Sequence, residues 1–274
     1  MPKEFLHLVK KRRCSIENGF VEKYRFRLKD GEHIESALRV RGKDAELYLS
    51  CQVGCGIGCQ FCECSVEWLI RDLSWKEIFA QVDKIFGEKC NNSLRITFNG
   101  IGEPTNNEKE VTKAISKILK KYPQSNIKIT TTGANHKALK KWLKFPISLQ
   151  LSLHAPTSDL REKIIETIMD VDKIIKAARN FAKAKREKVA VNFLLLKNFN
   201  DSYEVIDSLL KKLNPRYFSI IFSKLNPAFG QKFSYEPSEK FDQMSEYVAS
   251  RGFEVAEFED IGQEIDAACG QLRA

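Results

Sequence analysis

Residues 50–65, "SCQVGCGIGCQFCECS", gather five of the chain's eight cysteines into sixteen positions. A disulfide scaffold is the first explanation to exclude, since such scaffolds are short secreted chains that lack a core of their own. This chain has 274 residues, 43% of them hydrophobic, and is long enough to bury one. Its N-terminus, "MPKEFLHLVKKRRC", holds no apolar run of signal-peptide type, and no window approaches the roughly 18 apolar residues of a membrane span. The expectation is a cytoplasmic protein without membrane partners, where crowded cysteines point to metal or catalysis.

Within the stretch, Cys55, Cys59 and Cys62 stand at the spacing C-x3-C-x2-C, with Gly54, Gly56 and Gly58 between and beside them. Glycine lets the backbone wrap tightly and aim several sulfurs at one centre. Thiolates select zinc or iron–sulfur clusters. A structural zinc takes four ligands, usually as two separated pairs, and a second C-x-x-C pair is missing. Three close cysteines suit a cubane cluster with one iron left open, because clusters ordinarily use four. Zinc, or plain packing, is the bland alternative.

Outward from this stretch the pattern is regular. Strand-like runs at 45–50, 94–100, 127–131, 147–153, 189–196, 217–223 and 252–258 alternate with helix-like runs near 75–87, 108–121, 135–144, 170–185, 202–213 and 238–251. Ser74 and Gly252 punctuate the first and last helices. Strands separated by helices predict βαβ units and a parallel sheet. About six units suit an incomplete form of the eight-unit barrel, so the expected fold is α/β, a partial (β/α)6 TIM-like barrel over 45–274. Ligands gather at the C-terminal ends of such strands. "SCQVGC", "NGIGEP", "TTTGAN", "SLHAP" and "SKLNP" each follow a strand. Before residue 45, "VEKYRFRLKDGEHIESALRV" predicts two strands joined at Asp30-Gly31, and residues 1–44 read as a small β-hairpin extension. The net charge of +9 suits a polyanionic partner, though a lysine-rich solvated surface explains it equally well.

The triad with Phe61 before its last cysteine resembles the radical SAM signature. "SCQVGCGIGCQFC", "NGIGEPTNN", "LSLHAPTSDLREKI", "KLNP" and "IDAACGQL" resemble, in order and spacing, the RlmN/Cfr family of adenine-carbon methylases, over nearly the whole chain. The resemblance implies a [4Fe-4S] cluster on Cys55, Cys59 and Cys62, whose open iron chelates S-adenosylmethionine (SAM). It also implies SAM contacts at Gly102, Glu103, Thr132 (where the family has Ser), Ser152, Leu153, His154 and Asn226. Cys269 resembles the methyl-carrying cysteine of that family, and the small neighbours Ala267, Ala268 and Gly270 leave room for a bulky substrate. Glu35, in "HIES", matches the glutamate assigned to removing the ring proton. The implied partners are RNA, ribosomal or transfer, and an external electron donor such as flavodoxin or ferredoxin.

Two departures stand out. Tyr48 occupies the position where the family carries the cysteine that forms a disulfide with the methyl carrier, and a phenol cannot exchange disulfides. Cys51, Cys64 and Cys14 are the other thiols considered for that task; Cys51 and Cys64 otherwise read as small buried hydrophobes. The chain also begins almost where the family's N-terminal helical domain ends, and a short linker, "ETIMDV" (166–171), replaces a longer segment. Two rivals follow: a radical SAM enzyme acting on a peptide or small molecule, and a catalytically idle paralogue that binds RNA or protein.

Overall fold

The computed structural model describes residues 5–65, 68–87, 93–227, 235–256 and 261–273. Strands β1 (Leu6–Ile16), β2 (Gly19–Leu28), β3 (His33–Arg41) and β4 (Asp44–Tyr48) run antiparallel, each paired with the next. A two-stranded ribbon follows, β5 (Gln52–Val53) against β6 (Arg71–Asp72). The βα repeat then runs α1 (Trp75–Phe86), β7 (Ser93–Phe98), α2 (Glu108–Lys121), β8 (Asn126–Thr131), α3 (Leu139–Trp142) and β9 (Ile147–Ser152). It continues through α4 (Ser158–Glu162), α5 (Val171–Lys185), β10 (Val189–Leu194), α6 (Tyr203–Lys212), β11 (Phe218–Ser223), α7 (Phe241–Ser250) and β12 (Val255–Ala256). One sheet holds ten strands in the order β1-β2-β3-β4-β7-β8-β9-β10-β11-β12, parallel from β4 onward. Six βα units in sequence make the partial barrel that the alternation predicts, and the β extension continues its sheet through the β3–β4 pairing.

Period-two alternation gives the parallel strands two unlike faces. Ile147, Leu149 and Leu151 of β9 are buried, as are Val189, Val191 and Phe193 of β10 and Ile127 and Ile129 of β8. Helices cover this face: Phe193 meets Phe222 edge-on at 6.1 Å, and Phe222 meets Phe241 of α7 at 6.3 Å. α2 answers with Val111, Ala114, Ile115 and Ile118, a single stripe at helical spacing. Ser74 caps α1 through a reciprocal capping box with Glu77, as its place in the sequence predicts.

The other face is polar. Buried Glu46 receives Thr97 Oγ1 at 2.7 Å and Arg39 at 2.7 Å, with Arg95 and Lys128 each at 3.8 Å. Burial holds Lys128 below its usual pKa despite Glu46.

The structure differs from the sequence reading in four places. β1 is an extra strand, unseen because most of it is exposed and its centre is basic, with no alternating apolar signal. Such charge is what protects a sheet edge from further pairing. The run at 135–144 is a 3-10 turn, His136–Ala138, followed by the one-turn α3. α4 is too short to leave a periodic trace. Of 252–258, only Val255–Ala256 is strand, and 257–258 lie outside the described residues. No helix among the described residues is long and apolar enough to cross a membrane.

Candidate active site

The loop after β4 carries the cysteine triad. Two glycines shape it: Gly54 at φ 72° and Gly58 at φ 73° are in the left-handed region. At Gly58 a Cβ would stand 2.7 Å from the Cβ of Glu166, so the glycine also permits a close approach. The segment read as a linker is in fact a brace on this loop. Glu166 N donates to Gly58 O and Thr167 N to Ile57 O, both at 3.1 Å, while Gln60 N donates to Ile164 O at 3.0 Å. Cys59 forms an antiparallel bridge with Ile165. Sequence could not show this, since the contacts join segments about a hundred residues apart.

Cys55, Cys59 and Cys62 line one cavity of about 220 Å³ at the C-terminal ends of the parallel strands. Burial pushes the Cys55 thiol up to about 12 and the Cys59 thiol above its usual range. Cys62 is held low instead, because Cys64 hydrogen-bonds to it and favours the thiolate. A metal's positive charge reverses the cost of ionising such buried thiols. Among the described residues no three His, Cys, Asp or Glu side chains converge on a single-ion site. Three thiols lining one cavity are a donor set that suits an iron–sulfur cluster.

The same cavity is lined by Gly102, Glu103, Thr132, Ser152, His154 and Asn226, while Leu153 is fully buried beside it. Gly102 must be glycine: at φ 101°, a Cβ there would lie 2.5 Å from the Cβ of Gln52. Glu103 is buried and already well supplied with donors. Its Oε1 accepts from Thr105 N at 2.9 Å, Thr105 Oγ1 at 2.7 Å and Thr131 Oγ1; its Oε2 accepts from Thr132 N at 2.8 Å and Thr132 Oγ1 at 2.7 Å. The carboxylate thus ties two strand ends together, and the Thr132 hydroxyl is its partner. His154 has φ 62°, and its Nδ1 accepts from Leu194 N at 3.0 Å, which leaves Nε2 to carry the proton. Burial pushes it down to about 3, so the ring is neutral at working pH. It stands edge-on to Phe61 at 5.1 Å, joining the β9 end to the cysteine loop.

Cys269 is exposed and lines the cavity mouth. The tail that carries it is stapled to the cysteine loop. Glu63 N donates to Gly270 O at 2.7 Å, Cys64 Sγ to Leu272 O at 3.0 Å, and Asn226 Nδ2 to Cys269 O at 3.1 Å. Gly270 serves this approach, since a Cβ there would stand 2.9 Å from the Phe61 carbonyl. Its smallness therefore answers the cysteine loop rather than a bulky substrate.

Glu35 does not join that cavity. Its buried carboxylate pairs with Lys23 Nζ at 2.7 Å and accepts from Arg273 N at 3.0 Å, so it anchors the tail four residues beyond Cys269. Tyr48 does line the cavity, and burial raises its phenol pKa. Cys51 is fully buried and absent from the lining, whereas Cys64 belongs to it. Cys14, on β1, is outside it.

Sequence reasoning missed three cavity-lining residues: Ser65, Thr130 and Asn192. Ser65 Oγ, Thr130 Oγ1 and Asn192 Oδ1 are buried without a partner among the described residues. A buried polar atom left unmade costs about 1–3 kcal/mol, so a ligand with hydrogen-bonding groups fits there. One signal was available: Asn192 interrupts the otherwise apolar run "VAVNFLLL".

Residues 49–210 match the model of the radical SAM superfamily. The dual-specificity RNA methyltransferase RlmN of Nautilia profundicola is 33% identical over 94% of this chain and 79% of its own length. The chain belongs to the RlmN family of radical SAM enzymes. The dual-specificity RNA methyltransferase RlmN of Campylobacter hominis is 31% identical over 95% of this chain and 79% of its own. A solved radical SAM methyltransferase from Sphaerobacter thermophilus is 26% identical, with a TM-score of 0.86, over 98% of this chain and 81% of that one. The chain is accordingly a radical SAM methyltransferase, and its cofactors are a [4Fe-4S] cluster and SAM. The thiol-lined cavity with its three unpartnered oxygens fits both.

Proposed function

We propose that this enzyme methylates a ring carbon of adenine, carbon 2 or carbon 8, in an RNA, with Cys269 as covalent carrier. The observation that carries the reading is that exposed Cys269 shares one cavity with Cys55, Cys59 and Cys62. RNA as substrate is supported by the names of the relatives and by the net charge of +9. Reducing cytoplasm is the setting that keeps these thiols available, and a flavodoxin or ferredoxin is the electron donor that suits the chemistry.

Cys55, Cys59 and Cys62 hold the cluster in this reading. The strand-end residues Gly102, Glu103, Thr132, Ser152, Leu153, His154 and Asn226 hold SAM. When bound, the two cofactors supply a methyl group and a carbon-centred radical. Cys269 takes the methyl group as a thioether, gives up one hydrogen atom from it to the radical, and presents the remaining carbon to the ring. The sulfur–carbon bond then breaks as a second thiol closes a disulfide on Cys269, with Cys64 the candidate thiol in the cavity lining. Splitting the transfer in this way replaces an attack on an unactivated aryl carbon by feasible steps. Asn226 steadies the carrier, its amide spanning the Cys269 carbonyl and the Gln263 side chain. Glu35 is the proposed acceptor of the ring proton; its carboxylate is engaged with Lys23 and Arg273, so that role requires the tail to lift.

Tyr48 on the cavity wall favours a second reading, in which the same chemistry acts on a peptide or small molecule. The deciding measurement is a peptide map of anaerobically purified protein together with adenosine analysis of RNA from a deletion strain. A methyl group on Cys269, lost with all transfer in Cys269→Ala, and a missing methyladenosine support the RNA reading. A bare Cys269 beside active SAM cleavage would overturn it, and no SAM cleavage with an intact cluster would mark an idle paralogue.

A further inference from the structure

Arg161 is 2% exposed, and nothing in the proposed chemistry uses it. Its Nε donates to Leu153 O at 2.9 Å and its Nη2 to Thr132 O at 2.9 Å and Ser152 O at 3.1 Å. Among the described residues its Nη1 reaches the Met169 sulfur, at 3.3 Å, a weak acceptor. Among the described residues no carboxylate lies within ion-pair distance of it. Carbonyls satisfy the donors of a buried guanidinium but do not neutralise its charge, which Glu103, engaged with Thr105, Thr131 and Thr132, offsets only from a distance.

The surroundings indicate where the balancing charge belongs. Ile164 N and Ile165 N both donate to Arg161 O, at 3.0 and 2.9 Å. Those same two residues pair with the cysteine loop: Ile164 O accepts from Gln60 N, and Ile165 bridges Cys59. One short turn of chain therefore sets the Arg161 backbone beside the loop that carries the thiols, and its charge bears on the Cys59 thiol. Its carbonyl partners lie at the ends of β8 and β9, in the segments assigned to SAM.

We propose that Arg161 is the fixed positive charge that raises the reduction potential of the iron–sulfur cluster. This rests on Cys55, Cys59 and Cys62 being its ligands. Reduction adds one electron from an external low-potential one-electron donor and no proton, so the site becomes more negative by one charge. A buried cation beside it favours the reduced state, and in a low dielectric that preference is strong. Arg161 touches no substrate; it is a positioning residue that acts through the cluster.

The test is a redox titration of the reconstituted holoenzyme, following the paramagnetic resonance signal of the reduced cluster. Arg161→Gln removes the charge. Met169→Glu leaves the arginine in place but sets an anion against Nη1, with Met169→Gln as its neutral control. The expected result is an approximately tenfold fall in the reduced-to-oxidised ratio at fixed potential for Arg161→Gln and Met169→Glu, about 59 mV for a one-electron couple. Arg161→Lys and Met169→Gln stay near wild type. A fully loaded Arg161→Gln or Met169→Glu protein with wild-type potential overturns the proposal, as does an equal shift in Met169→Gln. If Arg161→Gln does not fold, the Met169 pair decides alone. Full retention of the cluster in Cys59→Ala would instead remove the ligand assignment, and the two failures are thereby told apart.

Discussion

The two faces of the parallel sheet are built from the same strands and do opposite work. On one, Phe193, Phe222, Ile129 and Leu151 are sealed under helices, with their apolar surface removed from water. On the other, Glu46 gathers three cations, while Thr130 and Asn192 are buried with unpartnered oxygens. Parallel strands are ordinarily apolar on both sides. A polar inner face gives up part of the burial that a filled barrel would have, and in return lines a cavity with groups that a ligand can satisfy. Stability resides on the outer face and chemistry on the inner.

The largest expected difference between the faces comes from Phe193→Ala. It removes a fully buried ring and should destabilise by about 3–5 kcal/mol, measured by denaturant unfolding, with SAM binding per folded molecule unchanged. A loss below about 1 kcal/mol would show that the helices do not seal that face.

Next comes His154, on the inner side. Its folded pKa of about 3 lies below the unfolded value of about 6.5. Between those values the unfolded chain binds the extra proton, so the contribution is complete above pH 6.5 and is lost as pH falls toward 3, on the order of 4 kcal/mol. His154→Gln should flatten this acid limb in unfolding experiments at pH 4 to 7; an unaltered slope would refute the buried neutral ring.

The smallest effect on folding should come from Asn192→Leu. Replacing a buried amide whose oxygen has no partner among the described residues by an apolar group of similar size is expected to change stability by no more than about 1 kcal/mol. SAM affinity of the holoenzyme should fall roughly tenfold, equivalent to about 1.4 kcal/mol. Clear destabilisation with unchanged SAM affinity would mean that the inner face is also structural.

Local chemistry made much of this legible beforehand. Alternation located each barrel strand to within a few residues, and Ser74 announced the start of α1. β1 escaped because its order comes from pairing with β2 and not from its own pattern. Glu35 matched a motif, yet it meets Lys23 and the tail instead of the cavity, because its direction follows from the register of β2 against β3.

The sequence by itself determined the barrel and the glycine-wrapped C-x3-C-x2-C loop, since periodicity and close spacing are properties of neighbouring residues. Only the tertiary structure decided that residues 164–167 brace that loop, that Glu103 is spent on the Thr105, Thr131 and Thr132 donors, and that Arg161 lies buried with no carboxylate within ion-pair distance among the described residues. Those facts depend on which distant segments meet and on what charge each burial leaves unbalanced, and neither is written in any local stretch of chain.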